Sequence, residues 1–430
     1  MQQRGFWRYE NGLLAMMCMT FGFVFFDRMA IVYMFPYIVR DIPLTNTQMG
    51  MLTSMLSLMW AVSGYMLGAY ADRHGNRKTI LVAMVTVFSV CSFLSGMAAS
   101  FLLLLLFRGV MGLAEGPVLP IAQSMMAEES SPQRRGFNMG LLQNGAGSLM
   151  SLLLGPIIVV ALAEAFNWRV AFFISGIPGL IIAALLWRFV RKSQAGQGMP
   201  AAPAVSASVH AKSGMTLGQL LANRNIVLCV LISCAFLTWF IVLVTFAPIY
   251  LVKQRGLSPE SMSTVMAALG MAAVIWGFVA PALSDRLGRR PVVIFFCLVS
   301  VLAPMSIIHV QGSTTVMACA IFFTYAGAGC LPLVMATIPS ETIPARYVAT
   351  ALGLIMGAGE IVGGVLSPVL AGVAADRLGA TAPFWISAGG AALATVLALF
   401  LVETAPAALA RRERSRQGAR DLPPSLSREA

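Results

Sequence analysis

Apolar residues in this chain come in long unbroken runs, and the polar residues gather in the short intervals between them. The runs read 12–38, 48–71, 79–99, 101–126, 136–162 and 170–190 in the first half, then 225–252, 260–283, 291–310, 314–338, 348–375 and 382–402 in the second. Each is long enough to cross roughly 30 Å of hydrocarbon as a helix. The pattern therefore predicts an all-α membrane protein of twelve transmembrane helices in two six-helix halves, residues 1–190 and 225–402. Residues 191–224, rich in Ala, Pro, Ser, Gly and Gln, read as a flexible cytoplasmic linker. The stretch 403–430, rich in Arg, Ser and Pro, reads as a disordered cytoplasmic tail. The first run follows Arg4 and Arg8 as a signal peptide would, but it passes Asp27 and Arg28 without a small-residue cleavage site and is read as a retained span.

The two halves repeat each other. Asp72-Arg73-His74-Gly75-Asn76-Arg77-Lys78, between spans two and three, recurs as Asp285-Arg286-Leu287-Gly288-Arg289-Arg290 between spans eight and nine. Glu129, Pro132 and Arg134 recur as Glu341, Pro344 and Arg346. Matched landmarks in matched order indicate a duplicated unit, and two parallel halves of membrane spans indicate a carrier that rocks about a central site.

Composition agrees: 58% of residues are hydrophobic and 11% charged, against about 45–50% and 25% in soluble domains. The net charge of +12 suggests a nucleic-acid partner only until its distribution is considered. Of 29 Lys and Arg, 22 fall on one side of the predicted spans, five (Arg40, Arg169, Lys253, Arg255, Arg377) on the other, and Arg28 and Arg108 lie inside spans. The positive-inside rule makes the rich side cytoplasmic, with both termini there and the cell inner membrane as location. The expected surroundings are lipid and a small solute, with no nucleic acid, and the chain is expected to act as a monomer. Seven scattered cysteines read as buried thiols, and three separated histidines suggest no metal site. No cofactor motif, nucleophile or metal cluster supports an enzyme; a proton is the only coupling species called for.

Five ionisable residues, Asp27, Arg28, Arg108, Glu115 and Glu360, sit deep in apolar runs. Each costs about 2.5–3.5 kcal/mol at a helix centre on insertion scales, so they must pair with one another or face a wet cavity. Arg108 and Glu115, seven residues apart, share a helix face with Gly112 between them, whereas the neighbours Asp27 and Arg28 point about 100° apart. The expected arrangement is a cavity wall carrying two arginines and two carboxylates from spans one and four; the plainer alternative is a buried structural network. Glu360 reads as a proton-coupling gate or a packing residue. Glycines at 109, 112 and 116, and at 353, 357, 359, 363 and 364, fit either static helix packing or sliding surfaces.

The run Gly68-Ala69-Tyr70-Ala71-Asp72-Arg73-His74-Gly75-Asn76-Arg77-Lys78 resembles the signature of the major facilitator superfamily. Within it the chain is similar to the anion:cation symporter group, through Phe26-Asp27-Arg28, Thr47-Gln48-Met49-Gly50, Arg108-Gly109-x-x-Gly112-x-x-Glu115-Gly116-Pro117 and Trp168-Arg169. That resemblance implies Arg28 and Arg108 as contacts for a substrate anion, with Trp60 and Asn144 as further substrate-binding candidates, and Asp27 and Glu115 as proton-handling carboxylates. Trp60 stands where relatives usually have Tyr, and Gly64 where many have Gln, which tilts the substrate from a hydroxylated sugar acid toward a less polar carboxylate. The Asp-Gly-x-Asp pattern of aromatic-acid carriers is absent from span one.

The expected function is proton-coupled import of a small organic anion by alternating access, with a protonated acid freeing an arginine for the substrate. Asp72, Arg73, Arg77, Asp285, Arg286 and Arg289 are expected to form a conformational latch at the cytoplasmic helix ends. A proton-driven efflux carrier of the same fold is the runner-up; Gly155-Pro156 is followed by Ile-Ile-Val-Val and not by the Gly-Gly of the usual antiporter motif. A transporter-like ligand sensor would need a cytoplasmic domain larger than this linker or tail.

Overall fold

Lipid offers the backbone no hydrogen-bond partner, so each apolar run must satisfy its own amides as a helix. In the computed structural model, which describes residues 9–74, 76–131, 134, 138–139, 141–142, 146–191, 217–405 and 408–409, the runs are helices α1 (Tyr9–Asp41), α2 (Asn46–His74), α3 (Arg77–Gly96), α4 (Phe101–Met126), α5 (Ala146–Ala165), α6 (Trp168–Phe189), α7 (Arg224–Lys253), α8 (Pro259–Leu287), α9 (Arg289–His309), α10 (Thr314–Thr342), α11 (Thr350–Leu378) and α12 (Ala382–Ala398). Ten of these are long and apolar enough to cross a bilayer; α12 is a shorter apolar helix, and α2, at 29 residues, carries more polar positions. Helix ends fall within a few residues of the predicted ones; in the run predicted over 136–162, residues 138–139 and 141–142 are helical as well, ahead of α5.

Side-chain caps fix several helix starts. Ser100, Asn167, Asn223, Ser258 and Ser313 each accept from a backbone N–H in the first turn of the helix that follows. Between α8 and α9 the chain turns at Gly288 with φ +108°, a conformation that disfavours any side chain. A Cβ there would also lie 2.6 Å from Glu403 Oε2. The tail therefore does not leave the bundle freely at 403: buried Glu403 accepts from the backbone N–H of Arg289 at 2.7 Å and of Arg290 at 3.2 Å. A carboxylate on two first-turn amides is favourable at a helix N-terminus, which is why the described start of the tail stays docked.

Helices α1 and α7 form the centre. Every residue from Phe26 to Ile38 and from Ile241 to Leu251 is buried, as expected of helices that are apolar all round. Outer helices instead leave large apolar residues exposed, among them Phe93 on α3, Ile181 on α6, Leu298 on α9 and Leu393 on α12. Four cysteines are buried, whereas Cys319 is exposed on α10, so the expectation of uniformly buried thiols does not hold there.

Glycines set the close crossings. A Cβ on Gly112 would sit 2.4 Å from the Leu56 carbonyl oxygen, and one on Gly116 would sit 2.1 Å from Ser63 Oγ and 2.4 Å from the Trp60 carbonyl oxygen. Gly112 therefore packs α4 onto α2 and does not clear space beside Arg108 and Glu115. Gly116→Leu is expected to separate these helices and destabilise the protein by about 2–3 kcal/mol, as overpacking does; a thermal melt of the purified variant checks this. Between the halves, α2 and α11 interlock at Gly50 and Gly372, where an added Cβ would lie 2.2 Å from the Pro368 and 2.4 Å from the Asn46 carbonyl oxygen, and α8 meets α5 at Gly270.

Candidate functional site

The divergence of Asp27 and Arg28 on α1 sends them to different partners. Arg28 turns toward α2 and, across the boundary between the halves, toward α11. Its Nη2 donates to Ser57 Oγ and to Glu360 Oε1, each at 2.7 Å. Its guanidinium carbon lies 5.6 Å from the Phe25 ring centroid and 5.7 Å from that of Trp60, within cation–π range. Glu360 opens a stretch, Glu360–Leu366, in which α11 widens into π-helical turns, a distortion frequent at functional sites. Gly364 gives the bridge its room, since a Cβ there would lie 2.7 Å from Glu360 Oε1 and 3.2 Å from Ser57 Oγ.

Asp27 turns the other way, into the first half, where its Oδ1 accepts from Ser92 Oγ on α3 at 2.5 Å. Arg108, only 1% exposed, donates from Nη2 to the Arg28 carbonyl oxygen at 2.9 Å and approaches Met111 Sδ at 3.5 Å. Glu115 is fully buried, and both its carboxylate oxygens, like Asp27 Oδ2 and Arg108 Nε, have no hydrogen-bond partner among the described residues. Asp27, Arg108 and Glu115, together with the Arg28 guanidinium, lie close enough to act on one another by charge.

The expected single wall of two arginines and two carboxylates is thus two clusters, back to back on α1. Arg28 and Glu360 join the halves; Asp27, Arg108 and Glu115 are packed inside the first half. The acid paired with Arg28 is Glu360, not Asp27 or Glu115, and Arg108 bonds the backbone of α1 at the Arg28 carbonyl. Trp60 lies beside Arg28, as its candidacy requires. Asn144 and the side chains of Asp72 and Arg73 lie outside the described residues.

A second polar contact joins the halves at the end of the bundle that carries Asp41. There Asp376, near the end of α11, accepts four hydrogen bonds from the first turn of α2: Asn46 N at 3.0 Å, Asn46 Nδ2 at 2.8 Å, Thr47 N at 2.9 Å and Thr47 Oγ1 at 2.6 Å. The carboxylate of one half thereby caps a helix of the other. Beside it opens a cavity of about 240 Å³ lined by Asn46, Met49, Tyr250 and Lys253 among others.

The model of the Major Facilitator Superfamily matches residues 17–363. The chain belongs to that superfamily. Among relatives, the hexuronate transporter of Bacillus subtilis (strain 168) is 30% identical over 399 residues, covering 87% of this chain and 90% of that protein. The probable 4-methylmuconolactone transporter of Cupriavidus pinatubonensis (strain JMP 134 / LMG 1197) is 27% identical, with 80% of each covered. The crystal structure of a bacterial homologue of the human lysosomal transporter Spinster, in an inward-facing and unoccupied conformation, superposes with a TM-score of 0.65 at 20% identity over 98% of this chain and 100% of that one, a likeness of fold.

Within this superfamily chain the repeated loops form equivalent bridges inside each half. Arg77, the first residue of α3, pairs with Glu128 at the end of α4's polypeptide. Arg289, the first residue of α9, pairs with Glu341 at 2.8 Å and with Asp285 at 2.6 Å. The acid equivalent to Glu341 is therefore Glu128, one residue from the Glu129 that the sequence repeat suggests. Arg286 is exposed, apart from the Arg289 cluster. Asp376 had a sequence signal of its own: Asp376-Arg377-Leu378-Gly379 is a further copy of Asp285-Arg286-Leu287-Gly288, and Gly379 shares its turn with φ +103°. Ser57, Ser92 and Gly364 carried no such signal, because serines and glycines are common in packed membrane helices.

Proposed function

We propose that this chain is a proton-coupled carrier that imports a small organic anion by alternating access, acting as a monomer in the cell inner membrane with both termini in the cytoplasm. The observation that carries this reading is the bridge between Arg28 and Glu360, which places a carboxylate on a buried guanidinium at the boundary between the halves. Charge accounts for the coupling. The empty carrier, with Arg28 cationic and Glu360 anionic, is neutral at the site. Adding an anion and a proton together, the anion on Arg28 and the proton on Glu360, is neutral again. Either alone leaves an unpaired charge in a dry interior, which costs several kcal/mol. Only the empty and the doubly loaded forms then rock between the two faces.

Arg108 holds the carbonyl of Arg28 and so fixes the part of α1 from which the guanidinium projects. Asp27 and Glu115 form a further proton store behind α1, coupled to Arg28 by charge. The relatives named for hexuronate and 4-methylmuconolactone support a small organic solute, and Ile-Ile-Val-Val after Gly155-Pro156 favours import.

Glu360→Gln tests the reading. With a neutral side chain at 360, anion exchange between the two sides of a proteoliposome should persist, while accumulation driven by a pH gradient should fall at least tenfold. Accumulation equal to that of the unaltered protein would remove Glu360 from the coupling.

A further inference from the structure

We infer that the substrate is a planar unsaturated or aromatic carboxylate, selected by Trp60, and not a polyhydroxylated sugar acid. The inference rests on the anion-carrier reading above and narrows it. Three observations around Arg28 support it.

The guanidinium lies over two aromatic rings, Phe25 and Trp60, at nearly equal distances of 5.6 and 5.7 Å. A carboxylate that replaces Glu360 on Arg28 therefore carries its attached group into a space walled by ring faces, where a flat conjugated group gains offset-stacked contact. Among the described residues, Arg28 bonds the Ser57 hydroxyl and the Glu360 carboxylate. One further donor is unspent among the described residues, since Trp60 Nε1 is buried with no hydrogen-bond partner there. One turn along α2, Gly64 adds no side chain and is backed onto α4, where a Cβ would lie 3.2 Å from the Gly116 carbonyl oxygen.

A sugar acid brings several hydroxyls, each needing a partner once stripped of water. The described donors beside Arg28, one serine and one indole N–H, are too few for them, and each unpaired hydroxyl lowers affinity by roughly tenfold. A flat acid asks for the guanidinium, the rings and at most one donor. Trp60 Nε1 suits a single acceptor on the ring, such as a pyridine nitrogen or a carbonyl. This places the chain apart from the hexuronate transporter with which it shares 30% identity.

The test is a thermal-shift titration of the purified full-length protein with benzoate, nicotinate and glucuronate at one pH, followed by Trp60→Leu and Trp60→Phe. Benzoate and nicotinate should raise the melting temperature at concentrations about 30-fold or more below those at which glucuronate acts. Trp60→Leu should weaken both aromatic acids by about tenfold. Trp60→Phe, which keeps a ring and removes the N–H, should preserve benzoate binding and weaken nicotinate. Glucuronate acting as well as or better than benzoate overturns the inference and leaves the anion-carrier reading standing. So does an unchanged benzoate response in a folded Trp60→Leu variant. Failure of every acid, together with an Arg28→Lys variant as active as the parent, overturns the anion-carrier reading itself.

Discussion

Arg28→Lys is expected to lower the initial rate of uptake by about a hundredfold or more while the protein stays folded. Lysine keeps the charge, but its Nζ ends one bond short of the Nη2 that donates to both Ser57 and Glu360, each at 2.7 Å, and it lacks the second guanidinium nitrogen that a substrate carboxylate would engage as a fork. It also loses the flat cation that lies over the rings of Phe25 and Trp60. Hydrogen bonds to charged groups contribute about 1.5–3 kcal/mol each, and about 2.7 kcal/mol is a factor of a hundred. Lysine is a better test than alanine, because alanine would strand Glu360, which is only partly exposed, without its cation, and breaking such a pair destabilises the protein. Uptake into proteoliposomes, with a thermal melt of the same sample, is the measurement. Uptake within threefold of the parent would remove Arg28 from the substrate path.

Asp376→Ala is expected to open the Asp41 end of the carrier. In the present conformation that end is held by four hydrogen bonds from Asn46 and Thr47 to one carboxylate and by the glycine crossing of α2 on α11 at Gly50 and Gly372. The contact is solvent-exposed, so each bond counts for less than a buried one. A total of about 2 kcal/mol shifts the ratio of closed to open forms by roughly thirtyfold. Met49 lies beneath this contact, buried, and lines the adjoining cavity. A cysteine introduced at 49 should react with an impermeant maleimide at least tenfold faster in the Asp376→Ala background, with Asp376→Asn intermediate. An unchanged labelling rate would mean that the glycine crossing alone keeps the end shut. Arg28 and Asp376 thus hold the two halves at different depths.

Most of the architecture was legible because lipid restricts the choices. Long apolar runs can only be helices, and their charges can only be paired or wet, so runs at 101–126 and 314–338 match α4 and most of α10. The repeat located Arg77 and Arg289 as equivalent positions, and each proved to be the first residue of its helix and the hub of a helix-bridging pair. The repeat missed Glu128 by one residue, since sequence landmarks follow spacing whereas the ion pair follows the face of the helix that reaches Arg77.

Pairing across helices was not legible. Spacing along α4 placed Arg108 and Glu115 on one face but could not say which way that face turns, and it turns inward to α1 and α3. The separation between Arg28 and Glu360, 332 residues, carries no periodic signal linking them, and the serine at 57 resembles any other serine in an apolar run.

The sequence by itself determined that this chain spans a membrane in two related halves and that five buried charges must be satisfied within it, because hydrocarbon tolerates neither open backbone nor lone charge. Only the tertiary structure decided which acid meets which arginine, and that a carboxylate at 376 caps a helix of the other half. Those outcomes depend on how helices turn and cross, and helix rotation is set by packing against neighbours, here by glycines such as Gly112, Gly116 and Gly364 whose contacts exist only once the bundle has assembled.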